Sequence, residues 1–284
     1  MSMKFLEFLL TLGFLAGTAF GQGTYTQIDV PEAVVTEATG INRAGQIVGA
    51  YVDSAGGHGF LLQNGAFTTI DYPGVQYSYA ERINDNGQIV GLAEPNGYLY
   101  DISTQAFTAI TYPGAFATFS LGLNNAGTVT GYYQVLKNGQ IGTLGFELTG
   151  SAFSSIAAPW SNGTSPQAIS DNGTVVGSAY FRAQGAEPNF LLNQKHYREI
   201  SVPNTPGALV NGINPRGTAV VGYYDSLTGV AGFVYEAGVV QTLSFPGAVS
   251  TLAFGINDAG QVVGYFLDSS LQTHGFLWTP PAAR

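Results

Sequence analysis

The sequence predicts an all-β protein: a six-bladed β-propeller of four-stranded antiparallel blades, its ring closed by the N-terminal strand pairing in the last blade. Three observations carry that expectation. A motif recurs six times, its copies lie 40 to 46 residues apart, and a block missing after the last copy stands before the first. A repeat of that length holding four short strands is the usual size of one propeller blade.

The motif is Ile-Asn-x-x-Gly-x-x-Val-Gly. It opens at Ile41, Ile83, Leu123, Ile169, Ile213 and Ile256, with spacings of 42, 40, 46, 44 and 43 residues. A turn glycine follows four positions on in every copy, at Gly45, Gly87, Gly127, Gly173, Gly217 and Gly260. The fifth copy slips by one residue before its second glycine, Gly222. A second block, Gly-Phe with apolar neighbours, follows as His58-Gly59-Phe60-Leu61, Gly97-Tyr98-Leu99, Gly145-Phe146, Asn189-Phe190-Leu191, Gly232-Phe233-Val234 and His274-Gly275-Phe276-Leu277. The third block, aromatic-Thr-x-Ile-x-x-Pro-Gly, is clearest at Phe67-Thr68-Thr69-Ile70-Asp71-Tyr72-Pro73-Gly74 and recurs from 107, 153, 197 and, loosely, 240. It is absent after the sixth copy and appears at the other end as Tyr25-Thr26-Gln27-Ile28-Asp29-Val30-Pro31. A linear solenoid has no reason to move its final strand to the N-terminus, whereas a ring whose termini meet in one blade does.

In the second copy the strands are expected at 78–83 (A), 88–92 (B), 97–101 (C) and 107–111 (D). Asn84-Asp85-Asn86-Gly87 joins A to B, a hairpin signal because glycine takes positive φ freely and the asparagine side chain bonds its own turn. The A–B and C–D turns are short throughout, while the B–C and D–A connections vary and carry aromatics. In an up-and-down blade these two kinds lie on opposite faces, so the variable face is the expected working surface.

Composition agrees. The chain has 284 residues, 39 Gly, 18 Phe, 16 Tyr, no Cys, and a formal charge of −9 from nine basic and eighteen acidic residues. Disulfides, thiolate metal sites and a cysteine nucleophile are excluded, and no basic footprint exists to meet a run of phosphates, so nucleic acid is not an expected partner. Residues 1–21 read as an export signal, with Lys4 before the apolar run 8–16 and Ala19-Phe20-Gly21 as a small-x-small cleavage site. An apolar run of that length falls short of the roughly 20 residues a spanning helix needs. Residues 22–284 are expected to form a single secreted propeller domain, monomeric and without a membrane span.

The strings Gly-Ile-Asn-x-x-Gly-Gln-Ile-Val-Gly at 40–49, His-Gly-Phe-Leu at 58–61 and Phe-Thr-Thr-Ile-Asp-Tyr-Pro-Gly at 67–74 resemble the bacterial extracellular repeat proteins of the HAF family. The resemblance spans nearly all of 22–284. It implies an exported repeat protein and carries over no catalytic residue, cofactor or ligand set. The fourth copy departs from the pattern, with Ser170 for the motif asparagine and Asn189 for the glycine of Gly-Phe.

Chemistry-bearing motifs are few. The Asn-Asp-Asn-Gly-type turns hold at most one Asp each, too few for calcium. His58 and His274 share one repeat position without an evident third ligand, so neither a metal nor a cofactor is expected. No Gly-x-Ser-x-Gly elbow, phosphate loop or His-Glu-x-x-His occurs. Exceptions to the repeat are more informative. Arg82 stands in a column otherwise Gly or Ala, and the column before it reads Thr39, Glu81, Leu121, Gln167, Asn211 and Phe254, polar for an innermost strand. Trp160 replaces the glycine of a D–A loop, and Tyr180-Phe181-Arg182 fills a B–C connection. Glu81, Arg82, Trp160, Gln167, Tyr180, Arg182 and Asn211 are therefore the candidate ligand-contacting residues. The expected function is a non-enzymatic binding module for an extracellular glycan or protein. The alternative is an extracellular carbohydrate-active hydrolase or lyase, with acids among Glu37, Glu81, Glu94 and Asp225 at the channel mouth.

Overall fold

A computed structural model describes residues 23–180, 188–205, 207–227 and 229–282. The expected export signal and Arg182 lie outside them. The described residues form strands and no helix, so no helix is long and apolar enough to cross a membrane.

The N-terminal strand β1 (Thr24–Ile28) precedes four strands that pair in order: β2 (Val35–Ile41), β3 (Ile47–Val52), β4 (Gly57–Gln63) and β5 (Ala66–Ile70). The next sets are β6 (Ser78–Ile83), β7 (Gln88–Ala93), β8 (Asn96–Asp101), β9 (Ala106–Ile110), then β10 (Ala117–Leu123), β11 (Val129–Lys137), β12 (Gln140–Thr149), β13 (Ala152–Ile156). After these come β14 (Gly163–Ile169), β15 (Val175–Tyr180), β16 (Asn189–Asn193), β17 (His196–Ile200) and β18 (Leu209–Ile213), β19 (Ala219–Ser226), β20 (Gly229–Glu236), β21 (Val239–Leu243). The last three strands are β22 (Ser250–Ile256), β23 (Val262–Leu267) and β24 (Thr273–Thr279). Pairing within each set is antiparallel, and β1 completes the last one by pairing with β24, from Thr24↔Thr279 to Ile28↔Gly275. Single parallel bridges, Val35↔Thr273 and Val230↔Ser250, link neighbouring sets.

The repeat blocks have distinct physical tasks. The aromatic of each Gly-Phe block, at Phe60, Tyr98, Phe146, Phe190, Phe233 and Phe276, is fully buried and sits opposite the last glycine of the Val-Gly motif, as in Gly49↔Phe60 and Gly91↔Tyr98. A Cβ on Gly49 would stand 1.9 Å from the Glu37 carbonyl and 2.8 Å from the Phe60 ring, so only glycine lets β2, β3 and the ring approach this closely. The apolar cores lie between neighbouring sets. Val48, Leu61 and Ile70 pack on Ala80, Ile89 and Tyr98, and Ile28 and Val263 of the last set pack on Ala38, Ile41 and Phe60 of the first.

The motif asparagine acts twice. Its side-chain oxygen closes its own turn, with the Gln46 and Gln88 N–H groups donating to Asn42 and Asn84 at 3.0 Å. Its N–H then donates to the next copy's main chain: Asn42 to Asn84 O at 3.2 Å, Asn84 to Asn124 O at 3.0 Å, Asn124 to Ser170 O at 3.2 Å, and Asn257 back to Asn42 O at 3.1 Å. Where Ser170 stands in the fourth copy, Asn172 makes the corresponding reach, donating to Arg216 O at 3.1 Å. The other departure, Asn189, is absorbed by two bonds to the following set: it donates to Ala208 O at 2.6 Å and accepts from the Val210 N–H at 2.9 Å.

Candidate functional site

The first strand of every set carries a β-bulge. The register shifts between Ala38 and Gly40, Ala80 and Arg82, Ser120 and Gly122, Pro166 and Ala168, Val210 and Gly212, and Ala253 and Gly255. The extra residues are Thr39, Glu81, Leu121, Gln167, Asn211 and Phe254, the column that reads as anomalously polar in the sequence. A bulge leaves its extra residue outside the ladder and re-aims its neighbours. These first strands pack side by side, β22 against β2 included, so their bulge carbonyls gather in the middle of the molecule.

Arg82 occupies that space. Its guanidinium donates to the carbonyls of Thr39 at 2.9 Å, Glu81 at 2.8 Å, Asn211 at 2.8 Å and Phe254 at 3.4 Å. A planar five-donor fork suits several acceptors arranged around it. Burial pulls the Arg82 pKa below its usual value and the Glu81 charge offsets part of that. Among the described residues no ion pair joins the two side chains, so the pair is neither a solvated edge nor a local salt bridge. Arg82 plugs the centre, leaving on the A–B turn side a shallow cavity of about 50 Å³ lined by Asn42, Asn84, Asn124 and their neighbours.

Glu81 points the other way. With Glu37 it lines a cavity of about 300 Å³ toward the B–C and D–A end, together with Val35, Thr39, Tyr51 and Tyr79. Burial pushes the Glu81 carboxyl up to about 7, Arg82 opposing and Glu37 adding to the rise. Burial also raises Glu37. Neither carboxylate has a hydrogen-bond or ion-pair partner among the described residues, while the Thr39 hydroxyl is committed to Ala80 O at 2.9 Å and the Tyr51 hydroxyl to Thr69 at 2.9 Å. Tyr79, Tyr132 and Tyr265 sense these acids: burial first raises each phenol, followed by Glu94, Tyr77 and Glu37 at Tyr79, Tyr180, Glu81 and Glu94 at Tyr132, and Glu37 and Tyr223 at Tyr265. Phe119 stacks on Tyr132 with centroids 4.5 Å apart, and Phe254 on Tyr265 at 5.3 Å.

The remaining candidates each have contacts of their own. Asn211 donates to Ala253 O at 3.2 Å while its carbonyl receives Arg82. Gln167 donates to the Ser165 hydroxyl at 3.0 Å. Trp160 lies half-exposed on its D–A loop, edge-on to Tyr197 at 6.1 Å. Tyr180 ends β15 opposite Gly163 and is close enough to Tyr132 to raise its phenol. Of the four acids considered for glycoside chemistry, Glu37 and Glu81 share a cavity, exposed Glu94 lies within electrostatic reach of Tyr79 and Tyr132, and Asp225 is exposed on β19.

Two features escaped the sequence reading. Five of the six D–A loops are held by a hydroxyl five positions before the motif opens, accepting from a loop N–H: Thr36 from Val30, Ser78 from Tyr72, Thr118 from Tyr112, Thr164 from Ala158 and Thr251 from Phe245, at 2.9–3.1 Å. The signal was present as Ser or Thr in five copies of six, with Ala208 the exception. The second is a pair of equivalent Asp-His-Asp clips. His58 lies 2.7 Å from Asp71 and 3.3 Å from Asp53, and His274 lies 2.8 Å from Asp29 and 3.8 Å from Asp268. Each imidazole also stacks on a ring of the preceding strand, Tyr51 or Phe266. Each clip ties a B–C connection to the end of an outer strand. No group of three or more acidic, His or Cys side chains among the described residues is arranged to hold a metal.

Several solved structures share this arrangement of strands. TolB from Acinetobacter baumannii matches with a TM-score of 0.55 at 10% identity over 87% of this chain, which spans only 64% of that chain. The gluconolactonase XC5397 from Xanthomonas campestris matches with a TM-score of 0.56 at 14% identity, over 92% of this chain and 91% of that one. The β-propeller domain of the Trilobed protease from Pyrococcus furiosus matches with a TM-score of 0.50 at 10% identity, over 87% and 79%. The fold is thus that of the β-propellers, and at these identities the likeness reaches no further than the fold. No family model and no curated protein matches the sequence.

Proposed function

We propose that the chain is an exported six-bladed ring, closed through β1, that works as a monomeric, non-enzymatic binding module for an extracellular glycan or protein through its B–C and D–A face. The closed ring is supported by the β1–β24 ladder, the return bond from Asn257 to Asn42 and the apolar cluster joining Ile28 and Val263 to Phe60. Export is supported by the charged start, apolar run and small-x-small site within residues 1–21, and by the resemblance to HAF repeat proteins.

One observation carries the choice of face. Of the ten large apolar side chains exposed among the described residues, nine lie at the D–A and B–C end: Val34, Tyr77, Phe116, Trp160 and Val249 in D–A connections, Leu227 and Leu271 in B–C connections, and Leu136 and Ile141 paired at the ends of β11 and β12 beside a third. Only Val239 lies at the opposite face. Apolar groups left in water on one side of a rigid disc mark a contact surface, and the opposite face is occupied by the asparagine ladder.

The enzymatic alternative draws on a single observation, the shared cavity of Glu37 and Glu81. In this reading Glu81, with its raised pKa, is the acid and Glu37 the second carboxylate. A glycan array run beside a polysaccharide-degradation panel separates the two. Retention without turnover supports the binding module; turnover abolished by Glu81→Gln overturns it.

A further inference from the structure

The cavity between β2 and β6 is unbalanced in hydrogen-bonding terms. Two carboxylates from neighbouring sets, Glu37 and Glu81, line it without a donor among the described residues, and Arg82 spends its guanidinium on main-chain carbonyls. The Thr39 and Tyr51 hydroxyls are already engaged, which leaves two carboxylates against the single uncommitted hydroxyl of Tyr79 among the described lining residues. Both acids are half-buried and left to water, so a ligand that displaces that water should bring positive charge and N–H groups together.

We propose that this cavity binds the primary ammonium group of a small amine. A calcium ion fits less well, because it asks for six to eight oxygens and the cavity offers two carboxylates and committed hydroxyls. A neutral sugar would supply donors but no positive charge to match the two acids. The volume of about 300 Å³ admits an amino sugar or a short diamine and excludes a large ligand. The inference rests on the loop-face reading only in that the cavity lies toward that end of the channel.

The test is calorimetric titration of the full chain at pH 7 with four probes in matched pairs: putrescine against 1,4-butanediol, and glucosamine against glucose, with calcium chloride alone as a fifth arm. Saturable binding of either amine, with its neutral partner weaker by tenfold or more, is the expected result. Glu37→Gln and Glu81→Gln should each weaken amine binding by tenfold or more while still melting in one cooperative transition, and Val239→Ser should leave amine binding unchanged. If one variant fails to fold, the other still decides. Which amine binds assigns the source as amino sugar or aliphatic amine. Equal binding of amine and neutral partner, calcium binding that both substitutions abolish and the amines do not displace, or no saturable amine binding at millimolar concentration overturns the proposal. Loss of a glycan or protein ligand on mutating Phe116 and Trp160, with no amine bound, would sink this inference and leave the binding module standing.

Discussion

The Arg82 guanidinium donates to the carbonyl of Asn211, 129 residues away, at 2.8 Å, and in doing so spans the middle of the molecule from β6 to β18. Arginine stands here in a column where four other copies have glycine and one alanine, so the repeat pattern alone marks it as an anomaly. The bulges explain it, because they turn several carbonyls toward one point and a single fork can serve four of them.

Arg82→Gly, though it restores the commonest residue of the column, should therefore destabilise the protein. Removing a charged donor from four inward-facing carbonyls costs roughly 2–4 kcal/mol, moderated where water enters the space. Arg82→Lys should recover only part of this, since one ammonium cannot reproduce the fork. Denaturant unfolding of the three proteins checks it: equal midpoints would show that the central bonds contribute nothing.

Glu81 carries the opposite sign. Its folded pKa, about 7, lies above the ordinary value of 4.5, so the native state holds a proton the unfolded chain has released. Stability from this group is full below pH 4.5 and is lost as pH rises toward 7. Glu81→Gln should match the parent near pH 4 and exceed it above pH 7 by roughly 1–3 kcal/mol. Thermal melts across that range read the difference, and a constant gap would contradict the assignment.

The Asp-His-Asp clips predict a second pH dependence. Burial lowers the His58 pKa, but Asp71 and Asp53 together outweigh it and leave the value raised. Main-chain N–H groups of Ala55 and Gly56 and the imidazole hold Asp53 below its usual range. The clip's contribution is present below the unfolded histidine pKa and fades as pH rises through the folded one. His58→Gln should lower the melting temperature at pH 5.5, by the equivalent of roughly 0.5 kcal/mol after solvent screening, and leave it unchanged at pH 8.5. The reverse pattern would mean the imidazole is held neutral.

The proposed ring closure has a direct consequence. Deleting residues 22–30 removes β1, strips β24 of its partner from Thr24↔Thr279 to Ile28↔Gly275, and exposes an edge strand. A lower melting temperature and concentration-dependent association are expected, followed by scanning calorimetry and light scattering. An unchanged transition would refute closure through the N-terminus.

Fold and site were legible to different degrees. The strands expected in the second copy at 78–83, 88–92, 97–101 and 107–111 fall on β6 to β9 within one or two residues, because glycine turns and a buried aromatic recur and each has one physical task. The displaced block at Tyr25 to Pro31 likewise led to the β1–β24 pairing. Side-chain direction was not legible. Glu81 and Arg82 are adjacent in sequence, yet the bulge sends one toward the loop face and the other to the central carbonyls, and no propensity forecasts that split. Trp160, Gln167 and Tyr180 stand out in the sequence only as breaks in the pattern; the structure puts Gln167 at a bulge like that of Glu81, Tyr180 within electrostatic reach of Tyr132, and Trp160 edge-on to Tyr197. Glu37 became prominent only when β2 and β6 were placed side by side.

The central claim is that the B–C and D–A face makes the functional contact, and a paired-face binding measurement tests it most directly. The parent, a Phe116→Ser/Trp160→Ala variant and a Val239→Ser variant are compared on one glycan and peptide array, with folding confirmed by thermal melt. The account predicts that whatever the parent retains is lost tenfold or more by the Phe116/Trp160 variant and kept by Val239→Ser. Equal retention by all three, or loss only on changing Val239, would contradict it.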